Sequence, residues 1–244
     1  GNQHYTFAMS VNKDPFTDVN VRRALKHGIN RQEIVDRIFL GEGYPLYTYA
    51  SRAELGHNPE TVFEFDPEKA KAYLKQSSYN NQTLTLTYTN MMPNSALVAA
   101  VIQKYLKNIG IKIKLQQLEE GTAATYVRNK DKRLGHLRLY GWAGERDPNI
   151  RLMLSVLSTS PYATVRDRPR KKEVDALVLA QAREMDEQKR IEILKQIHEI
   201  MTHDAVGAIL FGLNMIYGMS ERIDYTWTPN TAFLFNLHMI EKKN

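Results

Sequence analysis

The sequence predicts an α/β fold, a mixed sheet flanked by helices. Three observations carry the prediction. Thr83–Leu118 reads as strand, helix, strand, near the length of a β-α-β crossover, so its two strands should run parallel. Leu137–Leu157 (LRLYGWAGERDPNIRLMLSVL) reads as strand, tight loop, helix. Alternating apolar segments interleave with segments of helical period along the rest of the chain.

Gln3–Val11 alternates, with Tyr5, Phe7, Met9 and Val11 on one side of a strand. Asn12–Thr17 is a loop. Asp18 caps a helix that buries Val21, Ala24, Leu25 and Gly28. Asn30 and Glu33 form a variant capping box for a second helix, with Ile34, Val35 and Ile38 inward and Gly41 as its stop. Gly41–Phe65 is long, irregular and rich in glycine, proline and tyrosine. A connection of that length is usually functional or wraps another element. Asp66-Pro67 starts a third helix carrying Ala70, Tyr73 and Leu74 to about Ser77.

Thr83–Thr89 is the cleanest strand, with Leu84, Leu86 and Tyr88 on one face. Asn94 caps a long helix with a wide stripe: Leu97, Val98, Val101, Ile102, Tyr105, Leu106 and Ile109. Gly110 is its left-handed terminus. Ile111–Leu118 alternates again. Thr122–Lys130 is a short helix. Asp147-Pro148 begins the helix after the central loop, with Ile150, Met153, Leu154 and Leu157 on its apolar face. Lys171–Glu184 is helical through Val174, Leu177, Val178 and Gln181. Asp186 caps a helix with Ile191, Leu194, Ile197 and Met201 on one side and Ile193 and Ile200 broadening it. Val206–Met219 is buried strand, either one or two broken at Gly212. Tyr225–Pro229 is a turn, Thr231–Ile240 a last strand, and Glu241–Asn244 a solvated tail.

Composition narrows the class of protein. With no cysteine among 244 residues, a disulfide framework, a thiolate metal site and a cysteine nucleophile are all excluded. The longest apolar run, near Ala208–Tyr217, is too short to span a bilayer, and no signal-peptide layout opens the chain. The net charge of +6 admits an anionic partner, but acids and bases interleave along Arg183–Glu192. The densest basic cluster, Arg166–Lys172, reads as a solvated loop, so no nucleic-acid partner is expected.

Catalytic and metal patterns are missing. The 7 histidines never form H-E-x-x-H or H-x-H, so no metal is expected. There is no G-x-S-x-G elbow, no G-x-G-x-x-G and no Walker loop. No catalytic residue and no cofactor is assigned. The candidate ligand-binding residues are Trp142, Glu145, Arg146 and Asp147, where a strand ends and a helix begins. Open α/β sheets bind ligands at such places. Asp147 has an alternative duty as a helix cap. Glu145 and Arg146 have none beyond facing water. A carboxylate beside Trp142 suits a cationic ligand group. The Arg146 fork suits a carboxylate.

Four blocks then resemble a known family. Asn12–Val35 (NKDPFTDVNVRRALKHGINRQEIV) is similar to the family 5 extracellular solute-binding proteins, the dipeptide, oligopeptide and nickel group of ABC importers. Their pattern there is a strand, P-F-x-D-x-x-V-R-x-A-L, then I-[ND]-R. Asp66–Leu74 (DPEKAKAYL) resembles the next helix, Asn108–Lys114 (NIGIKIK) the G-I-x-[VI] start of a strand, and Gly141–Pro148 the G-W-x-x-D…D-P loop.

The resemblance implies one lobe of a two-lobed, periplasmic-binding-protein-like fold of type II. Residues 1–244 would be a single C-terminal ligand-binding lobe with the N-terminal lobe absent. It further implies a small-molecule or peptide ligand held between lobes, an ABC transporter permease as partner, no membrane span, and a periplasmic or extracellular location with or without an anchor. In peptide-binding members, an aspartate three residues after the loop tryptophan pairs with the ligand ammonium. Glu145 stands there, in a loop one residue shorter. The proline usual near the late strand is absent from Val206–Tyr217. The alternative is a ligand-sensing domain of the same fold in a regulatory protein. A hydrolase would need a nucleophile–base pair that the sequence does not offer.

Overall fold

The computed structural model describes residues 3–143, 146–163, 165–214, 216, 218–225 and 240–242. Six strands form one mixed sheet in the order β2-β6-β1-β5-β3-β4. They are β1 (Gln3–Met9), β2 (Gly43–Pro45), β3 (Thr83–Tyr88), β4 (Lys112–Gln117), β5 (Leu137–Ala143) and β6 (Gly207–Leu213). The expected parallel pairing is present: Leu84 lies opposite Ile113 and Leu86 opposite Leu115. β5 joins β3 in parallel, with Leu86 opposite Leu137. The other half is antiparallel, β1 lying between β5 and β6.

Helices α1 (Val19–Gly28), α2 (Arg31–Ile38) and α3 (Pro67–Lys75) start where their caps place them. Asp18 accepts from the Asn20 amide, Asn30 from Glu33 and Asp66 from Lys69. Each carboxylate or amide oxygen satisfies an amide that the helix itself leaves without a partner. The family-like motif Pro15–Leu25 is built for packing. Phe16, Val21, Ala24 and Leu25 are buried, and the Arg22 guanidinium ties the Phe16 and Asp204 carbonyls together.

α4 (Ser95–Asn108) crosses from β3 to β4. It ends in a Schellman turn: the Ile111 amide reaches the Leu106 carbonyl and the Gly110 amide the Lys107 carbonyl. Gly110 has φ +97°, a value that an L side chain resists. At its other end the expectation fails. Asn94 is itself left-handed at φ 60° and makes no side-chain cap; the Ser95 hydroxyl donates to the Met92 carbonyl instead. Leu97, at the outer edge of the expected stripe, faces solvent.

Other boundaries also shift. β1 stops at Met9, because Val11 already belongs to a turn, although it is buried. α5 (Glu120–Arg128) starts before Thr122, since Glu119 caps it through the Gly121 and Thr122 amides. α7 (Lys171–Gln181) ends before Glu184, and α8 (Glu187–His203) starts at the Asp186 cap. β6 is one strand running through Gly212, whose missing Cβ leaves room for the Tyr44 ring. The long stretch 41–65 holds β2, which pairs with β6. Glu241–Lys242, expected as part of a solvated tail, are exposed but form β8 and pair with β7 (Ile223–Asp224). The expected Tyr225–Pro229 turn and the last strand Thr231–Ile240 lie essentially outside the described residues.

The largest correction concerns the segment after the central loop. α6 (Asn149–Arg151) is a single turn, and Leu152–Val156 continues as a π-helical turn. Of the expected face, Leu157 is buried and Met153 packs against the core, but Ile150 and Leu154 face outward, and Leu152 and Val156 are buried in their place. The basic cluster 166–172 is also less free than expected. Arg168 is buried and donates to the Val156 and Val165 carbonyls and to Asp175, fixing the end of the π turn.

β1 and β5 sort their side chains cleanly. Tyr5, Phe7 and Met9 share one face with Leu137 and Leu139. That face is the apolar core under α1, α2 and α4, where the Tyr5, Phe39 and Phe211 rings pack together. The opposite face carries Thr6, Arg138, Tyr140 and Trp142, and the functional cavity opens there.

Candidate functional site

The parallel strands β3, β5 and β4 release their chains at one end of the sheet. Met91 and Met92 follow β3, Glu120 follows β4, and Asp147 and Ile150 follow β5. Together they rim a cavity of about 660 Å³. Ligands in open α/β sheets sit at this carboxyl end. Ala124 and Val127 of α5 close one side; Leu154, Ser155 and Tyr162 close another.

The walls are largely apolar, and they are left uncovered. Met91 and Ile150 are each 54% exposed, Tyr162 42% and Leu154 39%. Four large apolar groups open on one cavity mark a surface that binds something. Leu154 lies within the π turn and Ile150 in the single helical turn before it. Gly141 explains another feature. A Cβ there would stand 2.0 Å from the Met92 sulfur, so the bare backbone of β5 lets the thioether lie across it.

The charged groups divide into those already occupied and those that are not. Arg151 and Glu54 form a buried, two-pronged ion pair at 2.7 and 3.1 Å under the cavity. Glu54 also accepts from the Ser51 amide, and Arg151 stacks over Tyr49. Burial depresses the Arg151 charge, but Glu54 and its other neighbours leave its affinity for the proton raised overall. Asp147 is likewise held. One oxygen accepts from the Asn149 amide at 2.9 Å, as a cap does. Both oxygens receive the Arg190 guanidinium, which holds the carboxyl below its usual range.

Arg138 is the exception. It sits mid-strand on β5 with 13% of its side chain exposed, and its nearest ion-pair partner, Glu120, is 3.9 Å away. Its Nε and the Glu120 Oε2 are buried with no hydrogen-bond partner among the described residues. Tyr140 stacks under its guanidinium at 4.6 Å. Burial pushes the Arg138 pKa down, with Tyr140 and Glu120 opposing that shift.

The four residues that the sequence nominates do not fall in one place. Trp142 and Asp147 line the cavity. Arg146 lines a separate depression with Leu55, Met185 and Glu187, and its guanidinium lies 3.3 Å from Glu187. Glu145 lies outside the described residues. Arg138, Tyr140 and the two methionines escape sequence reading. Arg138 did leave a signal: a guanidinium flanked by Leu137 and Leu139 in a strand covered on both faces is costly to bury without a purpose. Among the described residues, no three His, Asp or Glu side chains converge as metal ligands, and no helix is long and apolar enough to cross a membrane.

The sequence profile of the bacterial extracellular solute-binding proteins, family 5 middle, matches residues 1–163. The glutathione-binding protein GsiB of Salmonella paratyphi A is 25% identical over 236 residues, which cover 94% of this chain and 46% of that protein. The dipeptide-binding protein of Escherichia coli K12 is 26% identical, covering 85% of this chain and 40% of that protein. The chain thus spans about half the length of the curated relatives it matches. The substrate-binding protein CtaP of Listeria monocytogenes superposes over 100% of the chain and 51% of its own, with a TM-score of 0.82 at 22% identity. HbpA2 of Haemophilus parasuis gives 0.81 at 25% identity, over 100% and 49%. The fold is thereby that of these binding proteins.

Proposed function

The chain belongs to the bacterial extracellular solute-binding proteins of family 5, and from that premise we propose that it is the C-terminal lobe of an ABC importer's binding protein. A second, N-terminal lobe closes over the cavity, and the closed protein delivers its solute to a membrane permease. The solute is a peptide or a related small amphoteric molecule. The protein works outside the cytoplasm, in the periplasm or at the cell surface, and catalyses nothing.

One observation carries this reading: a half-open, mostly apolar cavity at the carboxyl ends of three parallel strands, with four large apolar side chains uncovered around it. A pocket normally buries most of a small ligand, and this one leaves a side open for a covering lobe. Trp142 is the aromatic wall of the site. Arg146, which lines the neighbouring depression, meets the second lobe on closure, and Glu145, outside the described residues, is the candidate for the solute's cationic group. Two of the cavity acids are held by cations, Asp147 by Arg190 and Glu54 by Arg151, and the relatives the chain matches are binding proteins.

Mass spectrometry of the solute that co-purifies with the two-lobed protein tests the reading. A peptide or small amphoteric solute is expected. A nucleotide or a neutral sugar would contradict it.

A further inference from the structure

We propose that the edge of the sheet at β4, together with the C-terminal end of α4, docks on an anionic phospholipid surface, that of the membrane which holds the permease. The inference rests on the extracytoplasmic solute-binding reading above and adds a second partner at a second place on the molecule.

The charge distribution carries it. Residues 69–118 contain seven lysines and no Asp, Glu, Arg or His, so this stretch alone is more positive than the net +6 of the whole chain. Folding gathers it at one place. Gln103 of α4 donates to the Ile113 carbonyl of β4 at 2.8 Å, which brings Lys104 and Lys107 alongside the strand that carries Lys112 and Lys114. The Lys112 amide donates to the Tyr79 hydroxyl, and Leu74 packs beside Gly110, which brings Lys75 to the same end. All seven lysines are exposed. Among the described residues, only Lys71 has an ion-pair partner, Glu68. The neighbouring acid of α2, Glu33, is already engaged by Arg37 and the Tyr105 hydroxyl.

A duty in folding covers part of this face. Lysines on an edge strand discourage pairing with another sheet, and β4 is such an edge. That accounts for Lys112 and Lys114. It does not account for Lys75, Lys104 and Lys107, which lie on helices. The residue type then selects the partner. An arginine fork clasps a single phosphate, whereas dispersed ammonium groups act as point charges toward an extended anionic surface. The extracytoplasmic setting selects lipid over nucleic acid as that surface. Position agrees with the proposed task. The lysines gather at the start of β4 and the ends of α3 and α4, whereas the cavity opens at the carboxyl ends of the parallel strands. A lobe held at this end keeps its cavity free to load.

The test is co-sedimentation of the two-lobed protein with two kinds of vesicle, pure phosphatidylcholine and phosphatidylcholine with about one-third phosphatidylglycerol. A lysine near an anionic surface contributes about five-fold in binding. At about 0.1 M salt the wild type should favour the anionic vesicles at least about ten-fold, and the preference should fade toward about 1 M. The combined variant Lys104→Gln, Lys107→Gln, Lys112→Gln and Lys114→Gln should bind both vesicles alike. A control with the same change in charge at exposed positions elsewhere, Lys171→Gln, Lys172→Gln, Arg183→Gln and Lys189→Gln, should keep the preference. Should the first variant fail to fold, Lys104→Gln with Lys107→Gln carries the test, with a loss of at least about five-fold. Equal loss in variant and control overturns the assignment to this face. No preference by the wild type overturns the proposal and leaves solute binding standing, since the co-purified solute is read separately by mass spectrometry. Binding of a DNA duplex through these lysines, without a lipid preference, overturns both the lipid assignment and the extracytoplasmic reading.

Discussion

Arg151 and Glu54 meet across 97 positions of chain as a buried ion pair, and so fasten the long 41–65 connection to α6, just before the π turn, beneath the cavity. Glu54 is 3% exposed as a residue and Arg151 5%. Breaking a buried pair from one side typically costs about 3–5 kcal/mol, because the other charge is left without compensation. Glu54→Leu should therefore lower stability by roughly that amount in urea denaturation. The double variant with Arg151→Met should recover most of the loss. A single-variant loss below about 1 kcal/mol, the size of an exposed pair, would show that the pair does not hold the loop.

Asp147 acts as a cap and as the seat of Arg190. Asp147→Ala should cost about 1 kcal/mol, the size of a lost cap. Asp147→Asn keeps an oxygen for the Asn149 amide and should cost less. Arg190 lowers the carboxyl pKa, so the folded value lies below the unfolded one. The contribution is therefore complete above the unfolded value, about 3.9, and is lost as pH falls through the lower folded value. Chemical denaturation across that window should show the wild type approaching Asp147→Ala as the pH drops.

The features legible in the sequence were the locally encoded ones. Asp18, Asn30, Asp66 and Asp186 announce helix starts because a cap acts on amides two or three residues away. Gly110 announces a stop for the same reason. The β3–α4–β4 crossover follows from its length. What stayed hidden depends on distant chain. β2 has three residues, two of them Gly43 and Pro45, and becomes a strand only because β6 offers its edge. The π turn reflects which residues of Leu152–Val156 the core accepts. Asn94 has a capping side chain, but a left-handed backbone points it away from that duty. In the site, Trp142 and Asp147 were readable from strand-to-loop position. The unsatisfied state of Arg138 was not, since it depends on where Glu120 comes to lie.

Gly141 and Met92 make a testable contact. An added Cβ would meet the Met92 sulfur at 2.0 Å and its Cγ at 2.3 Å. The Met92 side chain, buried in the core and lining the cavity, has to shift to admit it. Gly141→Ala should cost at most about 1–3 kcal/mol of stability, the range for overpacking. The same change should weaken the co-purified solute in calorimetry by crowding its site. Unchanged affinity with an unchanged melting temperature would show that the contact is looser than the structure has it.

Lys26 is buried between α1 and the end of α8, with its ammonium on the Thr202 carbonyl at 2.6 Å and over the Phe63 ring. Burial first, then the nearby Arg31, Arg22 and Arg23, lower its pKa to about 7, against the pull of Asp204. The unfolded side chain titrates near 10.4. Between these values the unfolded chain binds more protons than the native one, so stability rises with pH across that window. The difference between wild type and Lys26→Met should grow in favour of the wild type from pH 7 toward pH 10, by up to about 1.4 kcal/mol per unit. A difference that stays level would mean that Lys26 keeps its ordinary charge.

The division of the site between two lobes is the central proposal. Its most direct test is calorimetric titration of the co-purified solute into the two-lobed protein and into this 244-residue chain alone. Millimolar binding already needs about 4 kcal/mol, whereas one exposed charge contact supplies roughly 0–1 kcal/mol. The isolated chain should therefore bind at millimolar strength or weaker, and the two-lobed protein far more tightly once closure excludes water. Equal, tight binding by both would contradict the account, because the whole site would then lie within this chain.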